Sequence, residues 1–161
     1  MPLAIARAQV ADLSDVVRLN GVVQDLHARL SPDIFRSDWT PSDLEEFWLA
    51  RLNDRNSTVA IATLDRHAVG YIWFEVQTRE QDALHLSRKR IYVHHIAVDK
   101  NARGDGIGAK LLERAELEGE RLGISNVVLD VWASNSTAQT FFGSRGYDPA
   151  IVGLGKILAI R

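Results

Sequence analysis

In this 161-residue chain, the residues whose types and spacing point most directly to chemistry are Arg103-Gly104-Asp105-Gly106-Ile107-Gly108. They follow the β-type run Arg90-Ile91-Tyr92-Val93-His94-His95-Ile96-Ala97-Val98 and open a segment of helical periodicity. The chemistry they suggest is anion binding. A helix N-terminus leaves about four backbone N–H groups without intrahelical partners, and its macrodipole adds roughly half a positive charge. A phosphate sits well there. Three closely spaced glycines clear side chains from the approach and tolerate the dihedrals of a tight turn. Arg103 adds a cation suited to phosphate oxygens.

Two familiar phosphate patterns come close and miss. Gly104, Gly106 and Ala109 formally satisfy the dinucleotide pattern G-x-G-x-x-G/A, but that motif needs its glycines directly after the strand. Here Asp99 to Arg103 intervene, and the acidic residue expected about 20 positions on is missing; Asp130 lies farther away and inside a strand. A P-loop would need glycine at Ala109 and Ser or Thr at Leu111. A purely structural glycine turn stays open at this point.

The chain resembles the GNAT superfamily of N-acetyltransferases. Arg103, Gly106 and Gly108 fill that family's R/Q-x-x-G-x-G/A signature, and Ile96-Ala97-Val98 fill the apolar strand end before it. Asn135-Ser136-Thr137-Ala138-Gln139-Thr140-Phe141-Phe142-Gly143-Ser144-Arg145-Gly146-Tyr147 is similar to the family's second element. Ile5-Ala6-Arg7-Ala8 with Asp12, and His27 to Phe35 with Pro32-Asp33, also resemble bacterial members. The likeness covers most of the chain.

The resemblance implies a GNAT fold: α/β (α+β), a mixed, mostly antiparallel sheet of six to seven strands splayed at a cofactor cleft, with four to five helices. It implies transfer of an acetyl or short acyl group from acetyl-coenzyme A to a primary amine, by direct attack in a ternary complex. The cofactor contacts would be Arg103, Gly104, Asp105, Gly106, Ile107 and Gly108 for the pyrophosphate, and Ile96, Ala97 and Val98 for the pantetheine arm. An N–H near Ile96 would polarise the thioester carbonyl. Asn135 would fix the other wall of the cleft, and Phe142 would pack on the pantetheine. The family's base often lies on the strand before the turn. Alternation from Val98 and Ile96 puts His94 and Tyr92 on one face and His95 with Val93 on the other, unless a bulge intervenes. His94 is therefore the expected base, since imidazole titrates near neutrality, and Tyr92 an expected pocket or relay residue. There is one departure: Phe142 stands where the family usually has a proton-donating tyrosine. That favours an alternative, a coenzyme-A-binding sensor or regulatory module with little or no catalysis. The acceptor is an amine on a small molecule, peptide or protein. Asp25, Asp33, Asp38, Glu80 and Asp82 are the acidic residues available to attract it. Homodimers are common among such domains.

The elements that must position these residues follow from periodicity. A strand is expected over Ala4–Ala8, and a helix from Asp12 or Ser14 with Leu13, Val16, Val17 and Leu19 on one face. A second helical stretch runs from about Val22 to Leu30 and stops before Ser31-Pro32. Thr40-Pro41-Ser42-Asp43 opens another helix. Strands follow at Thr58–Leu64 and Val69–Val76 around an Asp65-Arg66-His67 turn, then at Arg90–Val98. The sequence continues with a helix from Gly106 to Leu122, a strand over Asn126–Trp132, a helix over Ser136–Ser144, and one or two strands over Ile151–Ile160. No linker divides the chain, so one domain spanning residues 1–161 is expected. Trp39, Trp48 and Trp73 read as packing residues, and His27, His67 and His85 as surface or loop positions.

Composition sets the outer bounds. Hydrophobic residues at 46% and charged residues at 25% describe a soluble globular protein. The absence of cysteine excludes disulfides, thiolate nucleophiles and cysteine zinc sites; no metal is expected. A net charge of −2 argues against a dedicated nucleic-acid binder. The one basic run, Arg88-Lys89-Arg90, reads as a solvated loop between strands. Neither a signal peptide nor a membrane-spanning run of about 18 apolar residues is apparent, so a cytoplasmic protein is the default.

Overall fold

In the computed structural model, residues 2–159 are described, and they fall into two compact units meeting in sequence at Asp130/Val131. The first unit runs β1 (Ala4–Arg7), α1 (Leu13–Leu30), α2 (Pro41–Asn53), β2 (Ser57–Leu64), β3 (His67–Arg79), β4 (Arg88–Val98), α3 (Ile107–Leu122) and β5 (Val127–Leu129). The sheet order is β1-β2-β3-β4-β5, antiparallel except for the parallel pair β4–β5. The second unit contains α4 (Ser136–Gly143).

The mixed, mostly antiparallel α/β sheet is as expected, but it has five strands among the described residues, not six to seven, with four α-helices. Residues 151–159 form no strand. Their apolar side chains stand in solvent, with Leu154 95% exposed. A strand needs a partner edge for its backbone, and alternating hydrophobicity does not supply one. Ile160 lies outside the described residues.

The two helical stretches expected before Ser31 are a single helix, α1. At their join, a Cβ on Gly21 would come within 2.7 Å of the Trp39 ring, so this glycine serves close packing inside a continuous helix. Helix α2 begins where Thr40 and Asp43 cap each other: Thr40 Oγ1 accepts from Asp43 N at 3.3 Å, and Asp43 Oδ2 accepts from Thr40 N at 2.8 Å. The β2–β3 turn is only Asp65-Arg66, both at positive φ, and His67 already pairs with Leu64 in β3.

Period-two alternation gives the sheet two apolar faces. One carries Val59, Ile61, Tyr71, Trp73 and Ala97, which cluster with Val16, Val17 and Leu19 of α1 and Trp48 of α2. The other carries Ile72, Phe74, Ile91 and Val93 beneath α3, whose Leu111 and Leu112 are fully enclosed. A Cβ on Gly70 would meet Ala97 O at 2.7 Å and Leu111 at 3.1 Å, so glycine there lets α3 approach the sheet.

Candidate active site

The glycine turn has the backbone features that suit an anion. Gly104 and Gly106 adopt φ of +94° and +75°, a region unfavourable to other L-residues, and a Cβ on either would meet nothing within 4 Å. Backbone conformation therefore requires them, while the space beside them is open. Gly106 is the N-cap of α3 and gives no side-chain cap; the first intrahelical bond is Lys110 N to Gly106 O. The N–H groups of Ile107, Gly108 and Ala109 thus have no intrahelical acceptor. The buried Ile107 side chain anchors the turn, whereas Arg103, Gly104, Asp105 and Gly106 are exposed. Arg103 Nε donates to Val98 O at 3.3 Å, which holds the guanidinium where β4 enters the turn.

Beside the turn, β4 has an open edge. β5 pairs with Ile91, Tyr92 and Val93 and goes no further. From His95 to Val98, the only strand pairing with β4 among the described residues is that of β3. The β3–β4 register shifts here, with Trp73 opposite His95 and Phe74 opposite Val93, so His94 is the extra residue of a β-bulge. The bulge resets the backbone. Ile91 N donates to Asn126 on the β5 side, and Asp99 N donates to Val69 on the β3 side. Alternation with one inserted residue then turns the N–H groups of Ile96 and Val98 toward the open side.

The bulge also corrects the expected side-chain faces. His94 and Tyr92 do lie together, with ring centroids 4.7 Å apart, but Ile96 and Val98 point to the opposite face. His95 joins His94 and Tyr92 on the Trp73 face instead of pointing away with Val93. Trp73 contacts both histidines, stacked on His94 at 4.0 Å and tilted to His95 at 5.5 Å.

His95 is the end of a closed hydrogen-bond chain whose direction can be derived. The Trp48 indole can only donate, and it donates to Asn20 Oδ1 at 3.2 Å. That turns Asn20 Nδ2 toward Tyr71 Oη, 3.0 Å away, and His95 Nδ1, 3.3 Å away. The Tyr71 hydroxyl, having accepted from Asn20, donates to His95 Nδ1 at 3.2 Å. The proton of neutral His95 is left on Nε2. Burial first, then the charges of His27, His94 and Arg51, lower the His95 pKa to about 4. Burial raises that of the Tyr71 hydroxyl far above its ordinary value.

His94 has the opposite arrangement. Its Nε2 is closed to solvent and lies 3.0 Å from Glu75 Oε1, out of line for a hydrogen bond. Two lone pairs would repel at that distance, so Nε2 carries a proton. Glu75 is held in turn by Gln77 Nε2 at 2.8 Å. Tyr92 donates to Asp130 Oδ2 at 2.5 Å, and burial together with that carboxylate raises its pKa to about 12. It therefore holds its proton at neutral pH.

Glu75, Asn20, Tyr71 and Arg51 were not among the expected site residues. Their signals were polar residues in apolar runs: Glu75 within Tyr71-Ile72-Trp73-Phe74-Glu75-Val76, and Asn20 on the buried stripe of α1. The Arg51 guanidinium lies 3.3 Å over the Phe47 ring and 5.0 Å from Trp73. In the second unit, Asn135 Oδ1 caps α4 by accepting from Ala138 N at 3.1 Å. Phe142 is buried, 5.1 Å from the Phe141 ring and 5.9 Å from Tyr147. Of the acidic residues, Asp25 accepts from Trp39 Nε1, Asp38 pairs with Arg36, and Asp82 pairs with Arg79 and His85. Trp48 and Trp73 are core residues as expected; His27 is half-buried in α1 against Phe35, whereas His67 and His85 are exposed. Among the described residues, no group of three or more His, Asp or Glu could hold a metal ion. No helix there is long and apolar enough to cross a membrane.

A mixed sheet that opens between its two parallel strands, with an anion-receiving turn at the mouth of the opening, is the layout of an acyltransferase. The chain belongs to the acetyltransferase (GNAT) family, whose model matches residues 24–147. It is 31% identical over 126 residues to an uncharacterized N-acetyltransferase in the pepI 3' region of Lactobacillus delbrueckii subsp. lactis, a match covering 71% of this chain and 70% of that one. A solved tetramutant of the BH1408 protein from Bacillus halodurans has a TM-score of 0.88 at 27% identity, over 96% of this chain and 99% of that one. The aminoglycoside N-acetyltransferase AAC(6')-Iy, solved in complex with coenzyme A, shares the fold at TM-score 0.71 and 15% identity, over 99% of this chain and 94% of that one.

Proposed function

We propose that this protein transfers an acetyl or other short acyl group from acetyl-coenzyme A to a primary amine by direct attack in a ternary complex. The observation that carries this reading is the open edge of β4 running directly into the uncapped, glycine-built N-terminus of α3. The free N–H groups at Ile107 and Gly108, with Arg103, suit a pyrophosphate. The open backbone of Ile96, Ala97 and Val98 suits an extended amide chain added along the strand. An N–H from that edge stabilises charge developing on an acyl oxygen. The bound thioester supplies an activated carbonyl and a thiol leaving group. His94 Nδ1 takes a proton from the substrate ammonium, which frees the nitrogen lone pair to attack the thioester carbonyl as coenzyme A leaves as the thiolate, and Glu75 faces the ring at Nε2. Tyr92 lines the same face and keeps its proton.

Phe142 favours one other reading, a coenzyme-A-binding module without turnover, because a phenyl ring has no proton to give the departing thiolate. A thiol pKa near about 8.5 makes that thiolate a fair leaving group without an acid. Two measurements separate the readings. Thermal shift with acetyl-coenzyme A, coenzyme A, NAD and ATP is expected to show stabilisation by the first two only; at about 100 times Kd the gain is about 2.7 kcal/mol. Stabilisation by NAD or ATP alone would overturn coenzyme A binding. Thiol release across a panel of amines then distinguishes an enzyme from a sensor.

A further inference from the structure

The run Arg88-Lys89-Arg90, expected as a solvated loop, lies within β4. There Arg88 is directly opposite Arg79 and Arg90 is opposite Gln77. Alternation places these four side chains on the face that carries Glu75, Tyr92 and His94. With Thr78 they line a cavity of about 290 Å³. Like charges directly opposite in an antiparallel pair oppose folding, so their placement calls for compensation. The chain supplies only part of it. Asp82 reaches Arg79 at 3.4 Å, and Arg90 Nε donates to Gln77 Oε1 at 3.0 Å. Arg88 has no side-chain partner among the described residues. Three guanidiniums and one carboxylate leave a local excess of positive charge, and the guanidinium fork suits a carboxylate.

A relay of side-chain contacts on the same sheet face links the cavity lining to the proposed acyl-transfer site. Arg90 contacts Gln77, Gln77 contacts Glu75, and Glu75 contacts His94. Along β4, Arg90 and Arg88 lie four and six residues from His94, about 13 and 20 Å at 3.3 Å per residue. An extended peptide covers that distance in about four to six residues. We propose that the arginine-lined cavity binds an acidic side chain of a peptide acceptor whose amino group lies at His94, about four to six residues away. This deepens, and rests on, the acyl-transfer reading. It disfavours polycationic acceptors, which the three arginines would repel.

The test compares two peptides, identical except for glutamate or glutamine about five residues from the amino terminus. Acetyl transfer to each is measured as kcat/KM, and binding of fluorescently labelled forms by anisotropy. The glutamate peptide is expected to be at least about tenfold better through KM, equivalent to about 1.4 kcal/mol. Arg88→Gln should bring the ratio close to one. Arg88→Glu, which pairs favourably with Arg79 and so should fold, should shift the preference to a lysine peptide. Equal use of both peptides by the native protein overturns the proposal, as does a glutamate preference that survives both Arg88 variants. Failure of the acyl-transfer reading looks different. No amine would then be acetylated, while charge-selective peptide binding and its loss in the Arg88 variants would still support the arginine-lined site.

Discussion

His94 and His95 are neighbours on one strand and, because of the bulge, share one face of the sheet, yet their surroundings prepare them for opposite tasks. His95 ends a buried chain from Trp48 through Asn20 and Tyr71, which occupies its Nδ1 lone pair and resists protonation. His94 faces a carboxylate through Nε2 and sits at the start of a polar strip. The contrast teaches that an imidazole's capacity as a base depends on which nitrogen the fold has already engaged. His95 is a fixed donor and packing residue. His94 is the ring we propose as the base.

The strongest way to break this contrast is to remove each ring in turn. His94→Ala is expected to lower kcat for a lysine-like amine by about 10²–10⁴-fold, the usual worth of a positioned base. Part of the loss should return as pH rises toward the amine's own pKa of about 10.4, because the substrate then sheds its proton unaided. His95→Gln should cost turnover far less and stability more. Equal losses of kcat in the two variants, both insensitive to pH, would sink the assignment.

A second group of variants sharpens the structural half of the contrast. Asn20→Ala leaves the fully buried Trp48 indole N–H without its acceptor, at about 1–3 kcal/mol, and strips the Tyr71 hydroxyl of one of its two partners. Tyr71→Phe should cost less, because Asn20 Nδ2 already lies 3.3 Å from His95 Nδ1 and can serve it directly. Urea unfolding would show these losses as lower midpoints at unchanged slope. If Tyr71→Phe proved the costlier of the two, the direction assigned to the chain would be wrong.

Much of this site could be read from the residues, and what could not has a physical cause. The glycine turn was legible because a helix start and positive-φ glycines leave local signatures at Gly104 and Gly106. α1 read as two helices because a packing glycine and a breaking glycine look alike until Trp39 is seen against Gly21. The shared face of His94 and His95 was hidden, since a bulge is a property of two paired strands and period-two counting along one strand cannot register it. Glu75 and Asn20 were overlooked for a related reason: their partners lie 19 and 75 residues away, His94 and His95 respectively. The C-terminal apolar run shows the converse error, in which a strand-like pattern over residues 151–159 pairs with no strand.

The smallest effect is a pH dependence, and its sign follows from the lowered His95 pKa. The ring titrates near 4 in the folded protein and near 6.5 when unfolded. Between those values the unfolded chain binds the extra proton, so stability falls as pH falls from about 6.5 toward 4, and is flat with respect to this group above about pH 7. The slope is at most about 1.4 kcal/mol per pH unit, and partial exposure of the ring reduces it. His27, lowered by its own burial, contributes in the same direction, so the native slope contains both groups. Urea unfolding of the native protein and of His95→Gln, at about pH 7 and about pH 5, isolates the His95 share: the variant should lose part of the slope while retaining that of His27. A variant as pH-sensitive as the native protein would mean that His95 is free to protonate in the fold, and the two histidines would then no longer differ in the way that assigns catalysis to His94.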